Sequence, residues 1–263
     1  MKFSRVALAL ASIATTALAL TGCAGGSIAL PGSGSTPTPE KVFVTAPLTG
    51  VKYEEGTPEA NGLAGPSVTC KVDNSEAARP QQNLNKTDMV FDEMVEGGLT
   101  RFVAVFHSQL LTTDADAKAI GVAPVRSIRP MDPDIISPYG GIVCYSGGQQ
   151  IFVNLMRATS VFNASETSEQ GKGNFSRTKD REAPHNVIVN VAKLAAAHPE
   201  SAAPATMWDF SADAAGSTAV SSASASAVQS VQVNYPSASA LWTWLATAKS
   251  STGEAGAWVR TQD

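Results

Sequence analysis

The segment Thr100–Phe106 (TRFVAVF) decides the fold, because its β-branched and aromatic residues predict a β-strand. Two further segments have the same strand-like character: residues 67–72 (SVTCKV), which predict a buried strand, and residues 141–145 (GIVCY). Strands of this kind, spread over the first two thirds of the chain, indicate a sheet at the centre of the protein.

Helices are predicted between these strands. Residues 149–158 predict a helix, because Ile151, Leu155 and Ala158 recur at helical spacing. Residues 191–197 predict a second, shorter helix. We therefore expect an α/β (α+β) fold, with a mixed sheet and flanking helices.

A change in composition near residue 211 divides the chain. Residues 42–210 form the predicted N-terminal α/β domain, and residues 211–229, rich in Ala and Ser, are predicted to be a linker. Residues 230–263 contain three strand-like runs that predict a hairpin or meander. We expect this part to begin a β-rich second domain that is truncated.

The N-terminus resembles a bacterial lipoprotein signal. Two cations in Met1–Arg5 precede an apolar stretch at residues 6–20, too short to span a bilayer comfortably, and then Leu20-Thr21-Gly22-Cys23. We interpret residues 1–22 as a signal peptide, Cys23 as the acylated (palmitate-bearing) residue and residues 23–41 as a Gly/Ser/Pro-rich tether. An ordinary secretory signal with an incidental cysteine is the alternative.

This interpretation predicts an exported protein, held by lipid on the outer face of the bacterial plasma membrane. Without residues 1–22 the chain has 17 Lys and Arg against 23 Asp and Glu, a formal charge of −6. That balance argues against nucleic-acid binding, which needs a basic surface. No metal-ligand spacing and no nucleotide-binding motif occurs, so we expect neither metal nor cofactor.

Cys70 and Cys144 remain if Cys23 carries lipid. Both lie in predicted strands, in a compartment that permits disulfides. A Cys70–Cys144 bond requires those strands to be neighbours. Two buried free thiols are the alternative.

Six short motifs occur in an order that resembles the YerB-like DUF3048 family of bacterial lipoproteins of unknown function. They are PLTG (47–50), DN with ARPQ (73–74, 78–81), VEGGLTRF (95–102), PVRSIR (124–129), YSGG (145–148) and APHN (183–186). The resemblance implies an N-terminal α/β domain followed by a smaller β-rich one. This chain differs by extra residues around 112–121. The family has no settled activity, so the resemblance assigns no catalytic role.

Arginines in these motifs are candidates for anion binding. Arg126 and Arg129 are three residues apart, and Arg101 ends the VEGGLTR run. Guanidinium groups suit carboxylate and phosphate, and the Gly97-Gly98 pair could add backbone amide donors. Alternatively, these arginines pair with Asp132, Glu96 or Asp73 and hold loops together.

Arg79, in a polar loop after a predicted strand, is a further candidate for the same site, or part of a plain connecting loop.

Acid–base chemistry has two candidates, Glu96 as a general base and His185 as its proton partner. His107, at the end of a strand, is more typical of a structural histidine.

Three functions are compatible with these features. The first is a non-catalytic envelope protein that binds an anionic wall polymer or a partner protein. The second is an envelope hydrolase or transferase that holds an anionic glycopolymer in an arginine-rich pocket. The third is a solute-capturing lipoprotein, which fits least because such proteins usually need two complete lobes.

Overall fold

Short strands and helices alternate along the chain in the computed structural model, which describes residues 40–111, 121–210, 228–249 and 255–262. The helices are α1 (Pro58–Gly62), α2 (Asp132–Ile136), α3 (Gln150–Arg157) and α4 (Val191–Ala197). The strands are β1 (Phe43–Thr45), β2 (Lys52–Glu54), β3 (Val68–Asp73), β4 (Met89–Met94), β5 (Thr100–Phe106), β6 (Gly121–Val122), β7 (Ile142–Tyr145), β8 (Phe162–Ser165), β9 (Phe175–Arg177), β10 (Val187–Asn190), β11 (Ser230–Tyr235), β12 (Ala238–Lys249) and β13 (Ala255–Gln262).

A five-stranded mixed sheet of order β4-β5-β3-β7-β8 forms the centre. Strand β3 pairs antiparallel with β5 and parallel with β7, and β7 runs parallel to β8. Every residue of β3 and of β5 is buried. A strand that is covered on both faces is apolar along nearly its whole length and does not alternate with polar residues. The FVAVF run of β5 has this continuous apolar character. The predicted α+β class with a mixed sheet is therefore confirmed.

Helices cover both faces of this sheet. Val191 and Leu194 of α4 pack in one core with Cys70 and Phe102. Helices α2 and α3 pack on the other face, where Met156 lies against the β7 side chains.

Helix α3 occupies the predicted range, but the residues that it buries are not those whose spacing predicted the helix. Val153 and Met156 are the buried residues, whereas Ile151 is 62% and Leu155 46% exposed. Apolar spacing therefore identified the helix without identifying the face that packs on the sheet.

The segment from Pro124 to Ile128 enters the sheet between β3 and β7, where those strands diverge. The two strands pair only as far as Cys70 and Cys144. Beyond that point, Arg126 donates its N–H to the Lys71 carbonyl at 2.9 Å, and the Arg126 carbonyl accepts from the Ser146 N–H at 3.0 Å. This insertion places the PVRSIR motif at the carboxyl ends of β3 and β7.

Three smaller sheets also occur among the described residues: β1-β2, β6-β10-β9 and the meander β11-β12-β13. The meander contacts the main sheet through Asp92 of β4. The Tyr235 hydroxyl donates to the Asp92 carbonyl at 3.0 Å, and an Arg260 nitrogen lies 2.6 Å from the Asp92 carboxylate. The division into domains at residues 42–210 and 230–263 stays a prediction. The predicted signal peptide, Cys23, nearly all of the extra residues around 112–121 and most of the predicted 211–229 linker lie outside the described residues.

Candidate functional site

The carboxyl ends of β3 and β7 carry a cluster of charged side chains. Asp73 is the last residue of β3 and stands opposite Arg101 of β5 in the strand register. The inserted segment brings Arg126 and Arg129 to the same edge. Ligands of α/β proteins commonly bind at this edge, because loops that follow parallel strands converge there.

Asp73 contacts several other residues of the cluster. Its Oδ2 lies 2.7 Å from His185 Nδ1 and 3.3 Å from Arg126 Nε, and its Oδ1 accepts from the Ser75 N–H at 3.0 Å. Burial raises the pKa of the Asp73 carboxyl, but the donors around it, with the positive charge of Arg126, outweigh burial and lower the pKa below its ordinary value. The carboxylate is therefore charged at neutral pH.

Arg101 is 7% exposed and donates to the Ser127 carbonyl at 2.7 Å. Burial, together with the neighbouring charges of Arg129 and Arg126, lowers its pKa to about 10 against the opposing effect of Asp73 and Glu96. Arg101 stays protonated at neutral pH. Arg101 thus lies close enough to Arg126 and Arg129 for their positive charges to act on it.

Arg129 pairs with Glu96, with Nε and Oε2 2.7 Å apart. Burial raises the pKa of Glu96, but the hydrogen bond from Arg129 and the charges of Arg129 and Arg101 outweigh it and lower that pKa. The Glu96 side chain is 64% exposed. Its lowered pKa makes the carboxylate a weaker base, whereas a general base works best with a pKa near neutrality, and the general-base role of Glu96 stays a prediction.

A second, fully buried layer lies beneath the arginines. Lys71 Nζ is 2.7 Å from Asp132 Oδ1 and also contacts the Glu93 carboxylate. The other oxygen of Asp132 accepts the backbone N–H of Arg129, so this layer fixes the loop that carries the arginine. Burial lowers the pKa of Lys71 to about 8, opposed by Asp132, so the ammonium is still largely charged at neutral pH. We did not predict this layer, although a lysine inside an apolar strand signals a buried partner.

Charges in the two layers balance. Four cations face four carboxylates: Lys71, Arg101, Arg126 and Arg129 against Asp73, Glu93, Glu96 and Asp132. Arg126 and Arg129 thus make ion pairs with Asp73 and Glu96, two of the partners considered in the loop-holding alternative. Both also keep a partly exposed edge, at 19% and 15% of their side chains.

His185 and Glu96, the candidates for acid–base chemistry, have separate partners. His185 Nδ1 lies 2.7 Å from Asp73 and 3.4 Å from the Ser75 hydroxyl. A Ser-His-Asp triad uses opposite ring nitrogens for the serine and the carboxylate, whereas both contacts here are on Nδ1. The described residues thus show neither a Glu96–His185 pair nor a triad.

Arg79 and the two glycines serve other contacts. Arg79 donates to the Asn74 carbonyl at 3.2 Å. Gly97 and Gly98 both have left-handed φ values, 73° and 72°. A Cβ on Gly98 would lie 2.6 Å from the Ser237 hydroxyl oxygen, which itself donates to the Gly97 carbonyl. The glycine pair allows the β11–β12 turn to approach, a role different from the anion contact considered above.

Cys70 and Cys144 form a disulfide between the adjacent strands β3 and β7, with Cα atoms 4.6 Å apart. Within the described residues, no set of three or more His, Cys, Asp or Glu side chains is placed to hold a metal ion. In that same part of the chain, no helix has the length and apolar character to cross a membrane.

These features define an α+β protein with a charge-balanced arginine cluster at the carboxyl edge of a disulfide-linked mixed sheet. Residues 48–204 match the family model described as "Protein of unknown function (DUF3048) N-terminal domain". The chain belongs to this family, as its motifs implied.

A Bacillus subtilis (strain 168) protein named "Putative lipoprotein YerB" is 36% identical over 102 residues, covering 39% of this chain but only 27% of that protein's length. The crystal structure of YerB from Bacillus subtilis is similar at a TM-score of 0.61 and 20% identity, covering 84% of this chain and 67% of that one. At this identity, the structural likeness supports the fold alone.

Proposed function

We propose that the chain is a lipid-anchored, extracytoplasmic binding protein of the bacterial envelope, without catalytic activity, whose arginine cluster recognises an anionic group on a wall polymer or a partner protein. The observation that carries the proposal is the placement of three arginines at one sheet edge. Arg101 stands opposite Asp73 in the strand register, and Arg126 pairs with the same Asp73. Arg129, which pairs with Glu96, follows Arg126 by three residues. The lipoprotein-like start of the sequence and the name of the Bacillus relative support the location.

An incoming anion would compete with Glu96 for Arg129. Glu96 is the most exposed carboxylate of the cluster, at 64%, and a displaced Glu96 side chain would become solvated by water at little cost. Arg101 would gain, since an added negative charge offsets the repulsion from the other two arginines. The exposed Glu96 carboxylate thus occupies the position beside Arg129 that an anion would take.

Calorimetric titration with poly(glycerol phosphate) tests the binding. Arg126→Gln should weaken binding about tenfold by removing one charged donor. Glu96→Gln should strengthen binding, because the anion would no longer compete with a carboxylate for Arg129. Arg177→Gln, at an exposed arginine paired with Glu166 elsewhere on the surface, is the matched control.

Equal affinity in the Arg126→Gln, Glu96→Gln and control variants would overturn the arginine site. Anchoring is tested separately by metabolic labelling with a fatty-acid analogue. A Cys23→Ser variant should lose the label and leave the membrane fraction, and an unlabelled parent protein would refute the anchor.

A further inference from the structure

A groove separates the C-terminal meander from strands β4 and β5 of the main sheet. Its volume is about 550 Å³, within the range of sites for small ligands. One wall is formed by Trp242 and Trp258, and the other by side chains of the loop after β3 and of the main sheet. The groove shares none of its lining residues with the arginine cluster.

The aromatic wall is exposed to an unusual degree. Trp242 stands opposite Arg260 in the β12–β13 register, and Trp258 lies two residues before Arg260, so all three side chains share one face of the meander. Trp242 is 37% and Trp258 41% exposed. Large apolar side chains grouped on a surface are characteristic of binding sites rather than of an inert surface.

The groove also contains polar side chains, and its two charged groups cancel. Asp92 and Arg260 neutralise each other at 2.6 Å, and Asp92 Oδ1 is buried without a hydrogen-bond partner among the described residues. The Arg260 Cζ lies over the Phe102 ring, 4.9 Å from its centroid. Gln81 and Asn85 also line the groove. Planar carboxylate, guanidinium and amide groups present donors and acceptors in fixed pairs.

We infer that this groove binds an uncharged saccharide chain. The C–H bonds on the face of a sugar ring carry slight positive charge and suit the negative face of an indole ring, while the hydroxyl groups suit the planar polar side chains. A neutral groove gives an anionic polymer no electrostatic advantage. An apolar peptide would leave the polar groups that line the groove unpaired, at a cost in desolvation. The inference does not depend on the arginine cluster.

The test titrates the full chain with two uncharged probes, tri-N-acetylchitotriose and cellotriose. Binding is followed by tryptophan fluorescence and by saturation-transfer NMR. We expect at least one probe to bind in the millimolar range or tighter, and Trp242→Ala to weaken it about tenfold. Trp208→Ala is the matched control, because Trp208 is 48% exposed but does not line the groove.

Asn85→Ala is the second variant. Asn85 is exposed, so its truncation should leave thermal unfolding unchanged while weakening the sugar. Arg126→Gln should have no effect on sugar binding, which separates this inference from the proposed function.

The Val231→Ser variant tests whether a second copy of the chain, and not a sugar, covers the tryptophan face. Val231 lies outside the groove, where it lines a second, apolar hollow together with Trp242 and Trp258. If neither sugar binds, or if Trp242→Ala and Asn85→Ala bind it as the parent does, the saccharide assignment is wrong. Concentration-dependent self-association that Val231→Ser abolishes, without sugar binding, would instead assign this face to a second copy of the chain.

Discussion

Reduction of the Cys70–Cys144 disulfide is expected to lower the free energy of unfolding by about 4 kcal/mol. The two cysteines are 74 residues apart in sequence. Closing a loop of this length removes about 15 cal/mol/K of entropy from the unfolded chain, which is about 4 kcal/mol at 25 °C. Most of the effect lies in the unfolded state, because both thiols would stay buried in the same folded sheet.

Urea denaturation of oxidised protein, and of protein refolded and held under reductant, measures this difference. A Cys23→Ser background leaves Cys70 and Cys144 as the only cysteines, so both samples differ in a single bond. Reduction should also raise the urea m-value, because a chain without a cross-link exposes more surface when it unfolds. Substitution of the cysteines would be a poorer test, since it also changes core volume.

Equal unfolding free energies, within about 1 kcal/mol, in the two samples would refute this reasoning, because no large loop would then have been constrained. Alkylation under denaturing, non-reducing conditions provides the prior check. If intact mass shows two modified cysteines in the untreated Cys23→Ser protein, the bond itself is absent.

Two further predictions concern buried charge. Lys71→Met should lower the free energy of unfolding by about 3–5 kcal/mol in urea, because Asp132 and Glu93 lose the buried cation that compensates them; a variant as stable as the parent would contradict the paired layer. Burial lowers the pKa of His107 below its ordinary value of 6.5, against the opposing charge of Asp88, so the unfolded state binds more protons and stability should fall as the pH drops below about 6.5. His107→Gln should flatten this slope between pH 7 and 5 in thermal unfolding followed by circular dichroism, and an unchanged slope would exclude His107 as its source.

The local pattern of the sequence was enough to find most of the elements. Runs such as TRFVAVF contain the residue types that pack on a pleated, buried surface, so β5 was predicted at its observed bounds. Residues 150–157 form a helix as predicted, but the exposure of Ile151 shows that periodicity alone did not select the buried face. Which face packs depends on the sheet below it, and that sheet is assembled from distant parts of the chain.

The candidate site was less predictable. Arg101 and Arg126 were identified from their chemistry, and Asp73 was considered only as one of several partners. The structure makes Asp73 the centre, because the end of β3 lies beside the loop that carries His185, 112 residues later. Lys71 was missed because a single lysine within an apolar strand does not reveal which carboxylates will surround it.

By itself, the sequence determined most of the strand and helix segments and the residue types available for an anion site, since these follow from side-chain size, polarity and spacing. Tertiary structure alone decided that β3 and β7 run parallel, that Pro124–Ile128 enters between them, and that four cations meet four carboxylates there. The physical reason is the separation along the chain over which each effect acts. Propensity and periodicity act over a few neighbouring residues, whereas charge compensation depends on contacts between residues tens of positions apart.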